Sequence, residues 1–297
     1  MHKEALSNSR GYRGRFAPSP SGPLHFGSLV AALASYLDAK VHQGAWLVRM
    51  EDIDTPRVVQ GADSAILTAL EKFGLHWDEQ VEYQSQRHAF YQETLSQLKP
   101  DLYACNCTRK MIKQAGGLYQ GHCKSQALDF NEHAIRLTQM QPVYQFTDLL
   151  QGQVNVPHAL ADEDYIVKRR DGLFAYQLVV VIDDIEQKIS RVVRGADLLE
   201  PTARQISLFK QLGHSVPEYA HVPLAVTEPG FKLSKQNHAP AINIDDPLPE
   251  LLRALSFLGI NITDDMKLSN VEEVLTWAIT QFSLTAIPQV LEKSITL

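Results

Sequence analysis

Arg13-Gly14-Arg15-Phe16-Ala17-Pro18-Ser19-Pro20-Ser21-Gly22-Pro23-Leu24-His25-Phe26-Gly27-Ser28 is the stretch from which the rest of the chain can be read. Residues 13–17 predict a short strand that runs into a Pro/Gly turn. A helical pattern follows from residue 25 to about 41, with Leu29, Leu33 and Leu37 on one face. Residues 46–50 read as a buried strand. A second helix starts near Ala62, with Ile66, Leu70 and Phe73 spaced for one face. Strand, tight turn, helix, strand is a βαβ unit, and it predicts an α/β fold built on a parallel sheet. In such a sheet ligands bind at the carboxyl ends of the strands, which is where the turn 18–28 falls.

Working outward, a further helix is predicted over 87–98. Residues 101–162 break the rhythm with clustered cysteines, Gly116-Gly117 and short alternating segments, and read as an insertion in the sheet. The α/β pattern is expected to resume at 165–168 and 189–193. The apolar run Val179-Val180-Val181-Ile182 fits either a strand or a buried helix. A helix over 202–212, a strand over 220–224 and a lysine-bearing loop follow. Leu248, Leu251, Leu252, Leu255 and Leu258 mark an amphipathic helix, and 271–282 predicts another. The division expected is 1–100 and 164–245 as two halves of one core, 101–163 as the insertion and 246–297 as a short helical segment.

Composition bounds the function. The chain has 297 residues, 44% hydrophobic and 21% charged, as in globular proteins with a sizeable core. It has no apolar run long enough to cross a bilayer. Residues 1–14 are polar, unlike a secretory signal, and read as a flexible lead-in. All three cysteines fall between residues 105 and 123, which argues for a reducing cytoplasm and a metal rather than disulfides. A net charge of −6 argues against indiscriminate nucleic-acid binding. It leaves room for a local basic face, to which Arg169, Arg170, Arg191, Arg194 and Arg204 are candidates, although most read as solvated surface charges.

Two segments carry the phosphate chemistry. The glycines of the first turn permit close backbone approach, and a helix start offers N–H groups to anions. His25 can donate to a phosphate as charge builds in a transition state, and Gly27 lets an adenine ring lie on the backbone. Far downstream, Lys232-Leu233-Ser234-Lys235 follows the hinge-like Glu228-Pro229-Gly230-Phe231. Two lysines on such a loop can close over a triphosphate and neutralise departing pyrophosphate. Each segment alone has a bland reading, a surface turn or a solvated lysine loop; their co-occurrence argues against both. For the metal, Cys105, Cys107 and Cys123 supply three thiolates, and spacing alone nominates His122 as the fourth ligand.

In order along the chain, Arg15-Phe16-Ala17-Pro18-Ser19-Pro20-Ser21-Gly22, His25-Phe26-Gly27-Ser28, Arg49-Met50-Glu51-Asp52-Ile53-Asp54, Arg194-Gly195-Ala196-Asp197-Leu198-Leu199 and the lysine motif resemble the catalytic core of class I glutamyl-tRNA synthetases. The resemblance spans roughly residues 13–245 and implies a Rossmann-type sheet. It implies that Arg15 pairs with the side-chain carboxylate of L-glutamate, that Ala17, Ser19 and Tyr176 line the pocket, that Glu51 holds the α-amino group and that Arg194 adds a second cationic contact. A fixed bidentate cation for one carboxylate and an acid for the ammonium is what selecting glutamate requires. The resemblance further implies that His25, Gly27, Ser28 and Lys235 hold ATP, with Mg2+, and that His25, Gly27, Lys232 and Lys235 are catalytic. The family's Cys-x-Cys, Tyr-x-x-x-Cys pattern favours Tyr119 over His122 as the fourth ligand of a structural Zn2+. Two departures stand out: Ser28 occupies a position where many class I enzymes have histidine, and Gln236 one where serine is common.

The residues 237–297 are fewer than the anticodon-reading module of ordinary family members needs. With the 194–202 segment and the zinc insert, this resembles the branch of the family that esterifies glutamate to the queuosine base in the anticodon stem-loop of tRNA(Asp). That likeness implies a monomeric, cytoplasmic ligase that activates glutamate without tRNA. The alternatives are a minimal glutamyl-tRNA synthetase charging a 3′ end, and a non-catalytic paralogue that binds amino acid or nucleotide.

Overall fold

The computed structural model describes residues 11–228, 230–232 and 240–295. Leu233, Ser234, Lys235 and Gln236 lie outside the described residues, as does most of the lead-in; of Lys232 only the strand backbone is described. The elements run β1 (Arg13–Phe16), α1 (Phe26–Val41), β2 (Ala45–Met50), α2 (Ala62–Lys72), β3 (Glu82–Tyr83), α3 (His88–Gln97), β4 (Leu102–Cys105), α4 (Arg109–Gln114), β5 (Ala134–Leu137), β6 (Gln145–Asp148) and β7 (Gly152–Asn155). They continue with α5 (His158–Ala161), β8 (Tyr165–Lys168), α6 (Tyr176–Glu186), β9 (Arg191–Gly195), α7 (Thr202–Gln211), β10 (Glu218–Val222), β11 (Leu224–Glu228), β12 (Phe231–Lys232), α8 (Pro247–Phe257), α9 (Val271–Gln281) and β13 (Glu292–Ser294).

β1, β2 and β3 pair in parallel, as do β9 and β10. The two sets meet where the Ser190 N–H donates to the Arg13 carbonyl at 2.9 Å. Strand succession across the core therefore reads β3, β2, β1, β9, β10. The chain reverses direction across the sheet between β1 and β9, and that switch point opens a crevice at the carboxyl ends of the strands. α1 is buried on nearly every side, because it lies between the sheet and the C-terminal helices. Its all-round apolar surface follows from that position. α8 and α9 share one hydrophobic cluster with α1 and β2, and Phe257 of α8 packs edge-on against Phe26 at 5.9 Å.

The fold decides one open alternative and corrects one expectation. The run 179–182 is helical, within α6, and each of these residues is at most 2% exposed. Burial all round removed the amphipathic period that would have marked it. Residues 165–168 do form a strand, but β8 does not return to the parallel sheet. It pairs antiparallel with β5, which pairs antiparallel with β4. β6 and β7 form a separate antiparallel hairpin. The insertion's own sheet therefore continues to Lys168. β13 pairs in parallel with β11 and was not anticipated.

Candidate active site

Three strand ends and one helix start converge on the crevice. Arg15 comes from β1, Glu51 follows β2, Arg194 comes from β9, and Tyr176 opens α6. Arg15 is buried, and its guanidinium is already engaged: Nε donates to Asp184 Oδ1 at 3.1 Å and Nη2 to Oδ2 at 3.2 Å. Arg49 Nη2 approaches the same carboxylate at 2.8 Å. Arg15 thus already has one carboxylate partner within the fold, Asp184. Asp184 occupies one edge of the fork, and among the described residues no hydrogen bond uses Nη1. Burial works against the Asp184 charge, but Arg15 and Arg49 outweigh it and hold the carboxyl below its ordinary range. Deeper still, Asp183 accepts from Gln84, Arg87 and Tyr91 at 2.8–2.9 Å. The acidic pair ends the apolar run of α6, and its neighbours explain why two charges can be buried there.

Glu51 is the opposite case. Its side chain is 9% exposed, and Arg49 Nη2 is 3.6 Å away. Its Oε1 is buried and accepts no hydrogen bond from any described residue. Burial pushes its pKa up to about 7, against the pull of Arg49 and Arg15. A carboxylate held so short of donors is poised to receive one, and an ammonium group fits.

Arg194 is buried among neutral acceptors. Nε donates to His221 Nε2 at 3.0 Å, and Nη2 donates to Thr202 Oγ1 at 2.8 Å and Gln205 Oε1 at 2.7 Å. Nη1 stands 3.5 Å from the Tyr176 hydroxyl. Among the described residues no carboxylate pairs with it. Ala17 is half-buried and Ser19 exposed, at the mouth of the turn. Asp54 lies outside the pocket in ion pairs with Arg57 and Arg169. Of the candidates for a basic face, Arg169, Arg191 and Arg204 are held in ion pairs with Asp54, Glu218 and Glu163, Arg194 is internal, and Arg170 is exposed.

His25 caps α1. Its Nδ1 accepts from the Ser28 N–H at 3.3 Å, and Ser28 Oγ lies 3.0 Å from its Nε2. Ser28 thus supports the histidine ring. Gly22 takes a φ of 136°, which only glycine adopts without strain. The first turn of α1, with Gly27 and Ser28, carries no acidic side chain, so its N-terminus keeps its attraction for anions. His25 also forms a backbone bridge with Ala241, which brings chain beyond the lysine motif against this helix start.

In the insertion, the Sγ atoms of Cys105, Cys107 and Cys123 lie within 4.8 Å of one another and can hold a metal ion. The Tyr119 hydroxyl accepts from the Cys123 N–H at 2.8 Å. His122 is exposed and stands outside the thiol group, its ring 6.0 Å from that of Tyr119. Arg136 donates to Cys105 Sγ at 3.2 Å and stacks on Tyr119 at 3.7 Å. Burial, with the hydrogen bond to Cys123, pushes the Cys107 thiol up to about 12; a cation at the centre would invert that preference.

Sequence reading gave no role to Asp184, Asp148, His221 or Gln205, and quoted Arg49 and Thr202 only as members of motifs without assigning them a contact. The available signal for Asp184 was a charged pair ending an apolar run; for Asp148, His221 and Gln205 there was no local signal.

The family model for class I tRNA synthetases (E and Q), catalytic domain, matches residues 12–296. A glutamyl-Q tRNA(Asp) synthetase of Colwellia psychrerythraea is 54% identical over 297 residues, covering 96% of this chain and 94% of its own. One of Serratia proteamaculans is 55% identical, covering 94% of this chain and 93% of its own. A crystal structure of a glutamate tRNA ligase from Elizabethkingia meningosepticum, in complex with its amino acid, superposes with a TM-score of 0.78 at 26% identity. That match covers 97% of this chain and 67% of the other. The switch-point crevice, its buried cations and these likenesses agree: the chain belongs to the class I glutamyl- and glutaminyl-tRNA synthetase family, within its glutamyl-Q tRNA(Asp) synthetase branch.

Proposed function

We propose that this chain activates L-glutamate with ATP to glutamyl-adenylate, without tRNA, and transfers the glutamyl group to the queuosine base in the anticodon stem-loop of tRNA(Asp). The observation that carries the amino-acid half is the pocket itself: buried Arg15 and Arg194 share the surroundings of Tyr176 with Glu51, one of whose oxygens is buried and, among the described residues, receives no hydrogen bond. The relatives at 52–55% identity, all named glutamyl-Q tRNA(Asp) synthetase, carry the acceptor half.

Glu51 binds the α-ammonium, and Arg15 and Arg194 receive the side-chain carboxylate, with Ala17, Ser19 and Tyr176 shaping the pocket. The glutamate α-carboxylate attacks the α-phosphorus and pyrophosphate leaves. His25, Gly27, Ser28 and the start of α1 hold the nucleotide; Lys232 and Lys235 meet the charge that develops on the leaving group. Mg2+ bound with ATP shields the phosphates. A hydroxyl of the queuosine cyclopentene ring then attacks the activated carbonyl, and AMP departs. ATP and tRNA as substrates imply a cytoplasmic enzyme, and the reading is of a monomer. Cys105, Cys107, Cys123 and Tyr119 would hold structural Zn2+. Sulfurs bound at ~2.3 Å to one tetrahedral ion lie ~3.8 Å apart, and Cys107 and Cys123 Sγ are 3.5 Å apart.

The test begins with glutamate-dependent pyrophosphate exchange without tRNA. It continues with labelled glutamate and three acceptors: tRNA(Asp) bearing queuosine, the same tRNA with guanosine there, and tRNA(Glu), each with and without the 3′-terminal adenosine. Label should persist on shortened queuosine-bearing tRNA(Asp) and be absent from the guanosine form. Label on tRNA(Glu) that disappears with the terminal adenosine makes the chain a minimal glutamyl-tRNA synthetase, and glutamine exchanging as fast as glutamate sinks the pocket assignment.

A further inference from the structure

We infer that Asp148 and His221 are a positioning pair that presents Arg194 to the substrate carboxylate, so that the β6–β7 hairpin of the insertion helps to set glutamate affinity. The inference rests on the reading that Arg194 meets glutamate. Asp148 ends β6 and is fully enclosed. Its Oδ1 accepts backbone N–H groups from Leu150 at 3.0 Å, Gln151 at 2.8 Å and His221 at 3.2 Å. Its Oδ2 lies 2.6 Å from His221 Nδ1. An ionised carboxylate only accepts, so the ring proton sits on Nδ1 and Nε2 is left as a lone pair. That lone pair faces Arg194 Nε at 3.0 Å.

The consequence is a guanidinium that is held without being neutralised. Burial, aided by the Arg194 cation, keeps the imidazole uncharged against the pull of Asp148. Thr202 Oγ1 donates to the Leu198 carbonyl at 2.7 Å, which turns its lone pairs toward Arg194 Nη2. Gln205 donates its amide N–H to Gln177 at 3.0 Å, which leaves its oxygen for the same Nη2. Arg15, by contrast, is held by a carboxylate. Of the two cations, Arg194 therefore brings the less compensated charge to an incoming anion, and its direction is set by a histidine whose tautomer Asp148 dictates. Replacing His221 by a carboxylate would fix the arginine equally well but cancel its charge.

The experiment compares Michaelis constants for glutamate and for ATP in pyrophosphate exchange by wild type, His221→Leu, His221→Gln and Asp148→Asn. Losing one hydrogen bond to a charged group is expected to raise the glutamate KM on the order of 10- to 100-fold in His221→Leu, with the ATP KM within about twofold. In Asp148→Asn the amide can donate to Nδ1 and drive the proton to Nε2, against Arg194, so the same split is expected. His221→Gln keeps an acceptor for Nε and should recover the glutamate KM to within about threefold of wild type. If His221→Leu does not fold, Asp148→Asn and His221→Gln carry the comparison. A parallel rise in both constants, or an unchanged glutamate KM, overturns the positioning role while leaving the enzyme a glutamate activator. Wild-type exchange that does not depend on glutamate overturns the functional reading, and this inference with it.

Discussion

At the scale of single residues, the pocket keeps one charge at a disadvantage. Glu51 has few donors and a pKa raised from 4.5 to about 7 by burial, which Arg49 and Arg15 only partly offset. An acid whose folded pKa is raised contributes stability that is fully present below its unfolded pKa and is lost as pH rises through the folded value. For Glu51 the window runs from about pH 4.5 to about pH 7, and the loss approaches ~3 kcal/mol. Glu51→Gln should flatten that part of the stability profile and leave the ligand-free protein more stable than wild type at pH 8, while abolishing glutamate activation. Substrate binding needs the ionised form, so the wild-type KM for glutamate should fall as pH rises from 6 to 8. Denaturant melts across this range, paired with exchange kinetics, measure both; a wild-type profile parallel to that of Glu51→Gln rejects the assignment. Strain of this kind, held at a site until the ligand relieves it, is a common trade of stability for function.

At the scale of elements, the segment between β4 and β5 has almost no core of its own. Its buried cluster is Cys105, Tyr119 and Cys123, with Tyr103, Cys107, Ile112 and Leu128 packed around. So small a cluster cannot offset the ordering of that much chain, and a bound ion would supply the difference. The purified protein should contain about one equivalent of zinc. Cys107→Ala should lose it, and limited proteolysis should then cut between residues 106 and 130 while ATP binding survives. A metal-free wild type that resists cleavage there refutes the metal as the organiser. Tyr119→Phe should weaken retention against a chelator more than His122→Ala does, because His122 stands outside the thiol group. The segment was recognisable from cysteine spacing, and the family pattern favoured Tyr119 over His122; the structure buries Tyr119 and leaves His122 exposed.

At the scale of the whole molecule, the C-terminal helices and the sheet are one hydrophobic unit. Leu255 of α8 is fully buried in the cluster that contains Phe26, Leu29 and Leu33 of α1 and Val274 and Ala278 of α9. Arg253 of α8 lies over the Phe26 ring at 4.6 Å, one residue from the capping histidine. α8 therefore backs the helix start that would hold the phosphates. Leu255→Ala should cost about 2–5 kcal/mol and lower the melting temperature of a single cooperative transition. Two separate transitions, with only the smaller one shifted, would show that α8 and α9 unfold independently of the core.

The sequence by itself determined the βαβ start of the sheet and most elements of the core, though not the helical state of 179–182 or β13. Helical period marks α1, α2, α8 and α9, and Pro and Gly punctuate the turn that His25 closes. It also made the motifs legible, because His25 lies two positions from Gly27 and the three cysteines fall between residues 105 and 123. Tertiary structure alone decided what those residues meet. Asp184 lies 169 positions from Arg15, and Asp148 lies 73 from His221. Sheet partners behave likewise: the β-pattern of 165–168 was legible, but its pairing with β5 rather than with the parallel sheet was not. Local preference is set by each residue's own backbone and its near neighbours. The partner that buries a charge, or completes a strand, is set by the packing of the whole chain.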